Sequence, residues 1–221
     1  MEQHIPMAKR VLFVLCLLPL AYYGLALSQD ALGANPIDAF TRGLGSWALR
    51  LLLVTLAITP LRRLTGWTWL LKLRRMLGLF VFLYASLHLA TYLWLDQFFD
   101  WSAIGKDIVK RPFITAGMLA FTLLLPLAAT SNRVMIQRLG GKRWQELHRL
   151  IYPLAMIAVL HYTWLVKADA SRPALYGAVL ALLLGLRLWW RIQGVTMGPQ
   201  RAMPATFAKA GSRVIPIIQR R

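Results

Sequence analysis

The sequence predicts an all-α integral membrane protein, a six-transmembrane-helix bundle with N and C termini cytoplasmic. Three observations predict it. Of 221 residues, 58% are hydrophobic and 15% charged, with a mean hydropathy of +0.53, which is more apolar side chain than a soluble domain of this size can cover. The apolar residues gather into six long runs. The charges between those runs are unevenly shared, with Lys and Arg in excess in every second loop. A formal net charge of +18, from 26 Lys and Arg against 8 Asp and Glu, would suit a nucleic-acid binder, but such proteins are not this apolar. No nucleic acid is expected as a partner.

In chain order, residues 1–10 form a cytoplasmic N-terminal segment ending in Lys9 and Arg10. The run 11–27 has the basic-then-apolar look of a signal peptide, but no convincing small-x-small cleavage pattern follows. Tyr22, Tyr23 and Leu25 are poor neighbours for a cut, so the run reads as the first span. The others are 46–64, 76–95, 113–130, 150–166 and 174–190, each long enough for a hydrocarbon core of about 30 Å. Without water in that core the backbone must satisfy itself, which six helices do without a sheet. Pro19, Pro60, Pro126 and Pro153 fall within or near the ends of spans and are expected to kink or terminate helices. Residues 11–192 therefore form the transmembrane domain, and 193–221 a basic cytoplasmic tail.

Orientation comes from the loops. Arg62, Arg63, Lys72, Arg74 and Arg75 lie between spans two and three, and Arg133, Arg138, Lys142, Arg143 and Arg149 between four and five. Arg191, Arg201, Lys209, Arg213, Arg220 and Arg221 follow span six. The other three loops carry Asp30, Asp38, Asp96, Asp100, Asp107 and Asp169. Lys and Arg accumulate on the cytoplasmic side, so both termini are expected inside. Contact with anionic membrane lipids is a secondary use of the same charges.

Few residues can carry chemistry. Cys16 is the single cysteine, which excludes an intramolecular disulfide, a Cys-x-x-Cys zinc site and a covalent haem attachment. Gly43, Gly45 and Ala48 formally fit G-x-G-x-x-A, but no strand precedes them, and loop flexibility at the mouth of a span is the better reading. No nucleophile–base pair is present.

Histidine is scarce and informatively placed. Besides His4, there are His88 on span three, His148 at the mouth of span five and His161 deep within it. Span three enters from the cytoplasm near Arg75 and reaches His88 13 residues later, about 20 Å along a helix. Span five enters near His148 and reaches His161 after another 13. Both run from inside to outside, so the two histidines are expected at one depth, in the outer half. Two neutral imidazoles on facing helices can ligate one haem iron from opposite sides. Without a linking cysteine that haem is b-type.

Blander readings stand beside this one. A membrane histidine can simply bond a neighbouring carbonyl, and His148 sits in a wet, basic interface where histidine costs little. A three-histidine copper or zinc site suffers from the roughly 20 Å between His148 and His161 along one helix. Tyr84, Tyr92 and Trp164 can line a macrocycle, but packing or an interfacial belt is the commoner role. Arg74 and Arg75 are placed to meet a cofactor phosphate or lipid headgroups, and Arg50 to snorkel.

The runs Arg74-Arg-Met-Leu-Gly-Leu…His88, Lys110-Arg-Pro-Phe-Ile-Thr-Ala-Gly117, Leu127-Ala-Ala-Thr-Ser-Asn132 and Trp144-Gln-Glu-Leu-His148-Arg-Leu-Ile-Tyr152…His161-Tyr-Thr-Trp164 resemble the MsrQ (YedZ) family. These are haem-binding membrane subunits of the bacterial periplasmic protein-methionine-sulfoxide reductase system, in the ferric-reductase-like transmembrane group. The resemblance spans about residues 30 to 195 and implies a multi-pass protein of the bacterial inner membrane. It further implies that electrons from the quinone pool or a cytoplasmic flavin reductase pass to a periplasmic molybdopterin subunit, MsrP, which reduces methionine sulfoxide in oxidised envelope proteins. Haem b and FMN are the cofactors it implies; for FMN, Arg74, Arg75 and the 133–149 loop are candidates by location only.

The wider group typically carries two histidines on each of two helices for two stacked haems. Here span five has His148 and His161, but span three has only His88, with Arg74 or Arg75 where the second would stand. One fully ligated haem is the straightforward count, and a second would need His148 plus an unusual ligand. The chain also lacks the flavin and nicotinamide domain that larger relatives append, so quinol or a separate flavoprotein is the expected donor. A haem-free membrane anchor or small transporter, its histidines merely linking helices, is the alternative from another class.

Overall fold

The computed structural model describes residues 5–166 and 170–194. His4, Asp169 and the tail cations Arg201, Lys209, Arg213, Arg220 and Arg221 lie outside the described residues. The elements are α1 (Ile5–Ser28), α2 (Pro36–Thr65), α3 (Leu71–Thr91), α4 (Trp101–Lys110), α5 (Pro112–Ala129), α6 (Arg133–Leu139), α7 (Gly141–His148), α8 (Ile151–Leu165) and α9 (Ser171–Ile192). A 3-10 turn at Thr68–Leu70 leads into α3, and a π turn at Tyr92–Asp96 prolongs it. There is no strand among the described residues, and the protein is an all-α membrane protein.

Five helices are long and apolar enough to cross a membrane: Ile5–Ser28, Pro36–Thr65, Thr68–Asp96, Pro112–Ala129 and Ser171–Ile192. The fifth expected span corresponds to α8, which has 15 residues and rises about 22 Å. It is shorter because a turn at Arg149 and Leu150 separates it from α7, and because Val166 leaves the helix in extended conformation. The expectation that His148 and His161 lie along one helix is corrected: His148 ends α7 and His161 belongs to α8.

Three short helices fill loops that hydropathy left blank. Asp100 caps α4 by accepting from the N–H groups of Ser102 at 2.9 Å and Ala103 at 3.0 Å. Asn132 caps α6 by accepting from Met135 N–H at 2.7 Å, and α7 follows after Gly140, whose φ of +75° suits glycine. The indole of Trp144 donates to Thr130 O at 2.9 Å, holding α7 against the end of α5.

The bundle is organised around α2. Of its apolar stretch 61% is buried, against at most 28% in the other four long helices. Leu44, Leu52, Leu56 and Ile58 face the core with Leu77, Val81 and Leu154. The outward faces stay apolar, with Phe13, Leu18, Leu125 and Leu182 all exposed, as a lipid-facing surface requires. The most extensive pairings are α2 with α3 and α5 with α8. Those two pairs set the site.

Two polar devices cross the apolar interior. Tyr84, fully buried on α3, donates to Cys16 O at 2.7 Å and accepts from Leu20 N–H at 3.0 Å. Its hydroxyl is thereby inserted into the backbone ladder of α1 beside Pro19, the kind of insertion that bends a helix. Arg187 on α9 is 6% exposed. It donates to the Tyr152 hydroxyl at 2.7 Å and to Leu56 O, with its guanidinium 5.2 Å from the Tyr152 ring centre. Pro60 and Pro126 lie inside α2 and α5, whereas Pro153 falls in the first turn of α8, where proline costs little.

Candidate functional site

His88 projects from α3 against α2, and its Nδ1 lies 2.8 Å from Thr41 O. A carbonyl only accepts, so Nδ1 carries the proton and Nε2 keeps its lone pair. Gly45 flanks the ring: a Cβ built there would stand 3.0 Å from the imidazole. His161 repeats the arrangement from α8 against α5. Its Nδ1 lies 2.6 Å from Phe113 O, and a Cβ at Gly117 would again stand 3.0 Å from the ring. Neither Nε2 has a hydrogen-bond partner among the described residues.

The two imidazoles meet across the gap between the helix pairs. Their ring centres are 6.2 Å apart with planes at 73°. Two imidazoles ligating one metal ion through Nε2, each bond about 2 Å and each nitrogen about 1.1 Å from its ring centre, would be about 6.3 Å apart. The residues present therefore fit a bis-imidazole iron. No group of three or more His, Cys, Asp or Glu that could hold a metal ion occurs among the described residues. A pair of nitrogens alone suits a metal whose other ligands come from a macrocycle.

His148 is held differently. It ends α7, stacks on Trp144 with ring centres 3.9 Å apart, and bonds through Nδ1 to Trp144 O of its own helix at 3.1 Å. Its Nε2 is buried and unpartnered. Burial pushes this imidazole below its ordinary pKa, the Trp144 and Leu127 carbonyls act against that shift, and the nearby Arg74 charge acts with it. No second histidine faces it among the described residues. Half-buried Arg74 stands on the α3 side, close enough to feel the charge of Arg187, and a guanidinium has no lone pair to offer a metal.

The remaining candidates either engage partners within the bundle or stand exposed. Tyr84 bridges α3 to α1, and Tyr92 donates to Asp107 Oδ2 at 3.3 Å, tying the π turn to α4. Trp164 is half-exposed, in keeping with a belt position. Arg50 does not snorkel freely: Nε donates to the Tyr176 hydroxyl at 2.9 Å, and the guanidinium lies 4.8 Å from the Trp47 ring centre. Arg75, Arg133, Arg138, Lys142, Arg143 and Arg149 are exposed.

The reading of Gly43 and Gly45 as loop flexibility is corrected. Both lie inside α2, and both admit a ring. A Cβ at Gly43 would come within 2.4 Å of the Tyr23 ring, while Gly45 receives His88. Sequence reasoning missed Gly45 and Gly117. The available signal was a small residue at histidine depth on a neighbouring span.

Comparison with known proteins follows the same outline. The family described as ferric reductase like transmembrane component matches residues 44–159, a stretch containing His88 and His148 and ending just short of His161. The protein-methionine-sulfoxide reductase heme-binding subunit MsrQ of Azospira oryzae is 56% identical over 197 residues, covering 89% of this chain and 84% of that protein. The subunit of the same name from Rhodospirillum rubrum is 60% identical over 176 residues, covering 80% and 85%. That of Herminiimonas arsenicoxydans is 54% identical over 187 residues, covering 84% and 86%. No solved structure matches this chain.

Proposed function

Since this chain belongs to the ferric-reductase-like transmembrane family, in its MsrQ branch of haem-binding subunits, we propose that it carries electrons across the bacterial inner membrane. The donor is quinol or a cytoplasmic flavin reductase, and the recipient is the periplasmic molybdopterin subunit MsrP, which repairs oxidised methionine in envelope proteins. The chain spans the membrane six times, α8 being the short crossing, with residues 1–10 and the 193–221 tail in the cytoplasm. It breaks no bond in methionine sulfoxide itself.

The observation that supports this reading best is the 6.2 Å separation of the His88 and His161 rings. Haem b, when bound, supplies a one-electron redox centre. His88 and His161 would hold it through Nε2. The protein keeps both rings in the Nδ1–H tautomer through Thr41 O and Phe113 O, and surrounds them with helices that exclude water. His148 is the candidate ligand for a second haem, with no imidazole opposite. FMN would bind on the basic face near Arg74, where the arginines of the 133–149 loop are exposed.

The alternative, a haem-free anchor or transporter with helix-linking histidines, draws on the same Nδ1–carbonyl contacts. It leaves without a use the approach of the two rings to 6.2 Å and the lack of any partner for either Nε2 among the described residues. A visible spectrum of the purified protein separates the readings. A Soret band that shifts on dithionite reduction is expected; its absence from haem-replete preparations would leave the anchor.

A further inference from the structure

We propose that Gly45 and Gly117 are positioning residues for His88 and His161. Each opens a notch in a helix through which an imidazole reaches the carbonyl one turn earlier, and that contact fixes the ring's tautomer and direction. The proposal rests on the haem reading above and concerns how the ligands are aimed.

A helical carbonyl already accepts from the N–H four residues on, and its second lone pair is reached only from the side. A helical side chain leans toward the N-terminus, so it covers the turn before its own Cα. The side chain at position 45 would therefore cover the carbonyl of Thr41, and that at 117 the carbonyl of Phe113. Glycine leaves both open. In each case the ring rests where a Cβ would come within 3.0 Å of it, and its Nδ1–H bonds the carbonyl four positions earlier.

The coincidence is specific. Gly24, Gly78 and Gly185, also inside long helices, would meet nothing within 4 Å on gaining a Cβ. Among the described glycines an imidazole is met at two, and they face the two candidate ligands on two separate helix pairs. A hydrogen bond from Nδ1–H to a carbonyl also makes Nε2 a better donor to a metal. The same contact thus orients the ring and tunes its basicity.

The test uses the full-length purified protein with Gly45→Ala and Gly117→Ala, and Gly78→Ala and Gly185→Ala as matched controls. Readouts are haem per chain, the EPR g values of the oxidised low-spin iron and its midpoint potential. Each notch variant is expected to shift the g values and potential, or to lower haem affinity about tenfold, while both controls match the parent. Full haem with parental g values and potential in both notch variants would overturn the proposal, as would equal changes in the controls.

Should a notch variant fail to fold, 15N NMR of histidine-labelled parent protein, reduced if haem is present, decides the tautomer. Hydrogen-bonded Nδ1–H on both His88 and His161, assigned by single His→Gln variants, supports the proposal; unprotonated Nδ1 on either of these two sinks it. Parent protein devoid of haem would remove the functional reading alone, because that NMR signature is read without haem.

Discussion

The His88–His161 level and the His148 level hold histidine in opposite ways. At the first, two helices each contribute one imidazole, and each ring is fastened by a carbonyl of a neighbouring helix. At the second, a single imidazole is fastened to its own helix and stacked on Trp144, with Arg74 on the α3 side. The difference teaches that a buried histidine is not by itself a ligand site. What distinguishes the first level is convergence: two imidazoles from separate helix pairs with ring centres 6.2 Å apart, close to the spacing that one shared iron requires. The second level has an imidazole without the convergence.

The widest gap between the levels should appear when a ligand is removed. His88→Ala or His161→Ala is expected to lower haem per chain by at least about tenfold, since losing a ligand costs more than losing its supporting partner. Pyridine haemochrome assay on purified variants checks this, and parental low-spin haem in either would break the comparison. His148→Ala sharpens it from the other side. The low-spin spectrum of the first level should survive, while reduction by quinol or reduced flavin slows severalfold in stopped flow. Unchanged rates would make His148 a packing residue.

Smaller effects should separate scaffold from site. Tyr152→Phe removes the acceptor of a buried guanidinium and should cost about 1–3 kcal/mol in detergent unfolding. Tyr84→Phe leaves Cys16 O and Leu20 N–H without their bridge and should cost about 1–2 kcal/mol, with the haem spectrum unmoved. A spectral change in Tyr84→Phe would bring that residue into the site after all.

The long helices were legible because a run of apolar side chains is a direct statement about solvent. The short ones were not: α4 alternates polar and apolar residues, and α6 and α7 are held by caps and by the Trp144 contact rather than by hydropathy. The shared level of His88 and His161 followed from counting residues along two parallel rises. Their fastening could not be read, because Gly45 and Gly78 look alike in sequence although one receives a ring and the other meets open space. Partner identity across helices is a property of rotation about each axis, and a single sequence encodes rotation weakly for helices apolar all round. Tyr84 shows the same limit, since nothing local to α3 signals that its hydroxyl enters the backbone of α1.

Arg187 has a bearing on how the molecule is made. Its cation travels into the bilayer on the last helix, and the groups that receive it, Leu56 O and the Tyr152 hydroxyl, come from α2 and α8. A lone α9 would leave that guanidinium without these acceptors in an apolar setting. One guanidinium thus locks α2, α8 and α9 to one another, so the seat of α9 is fixed by two other helices rather than by apolar contact alone.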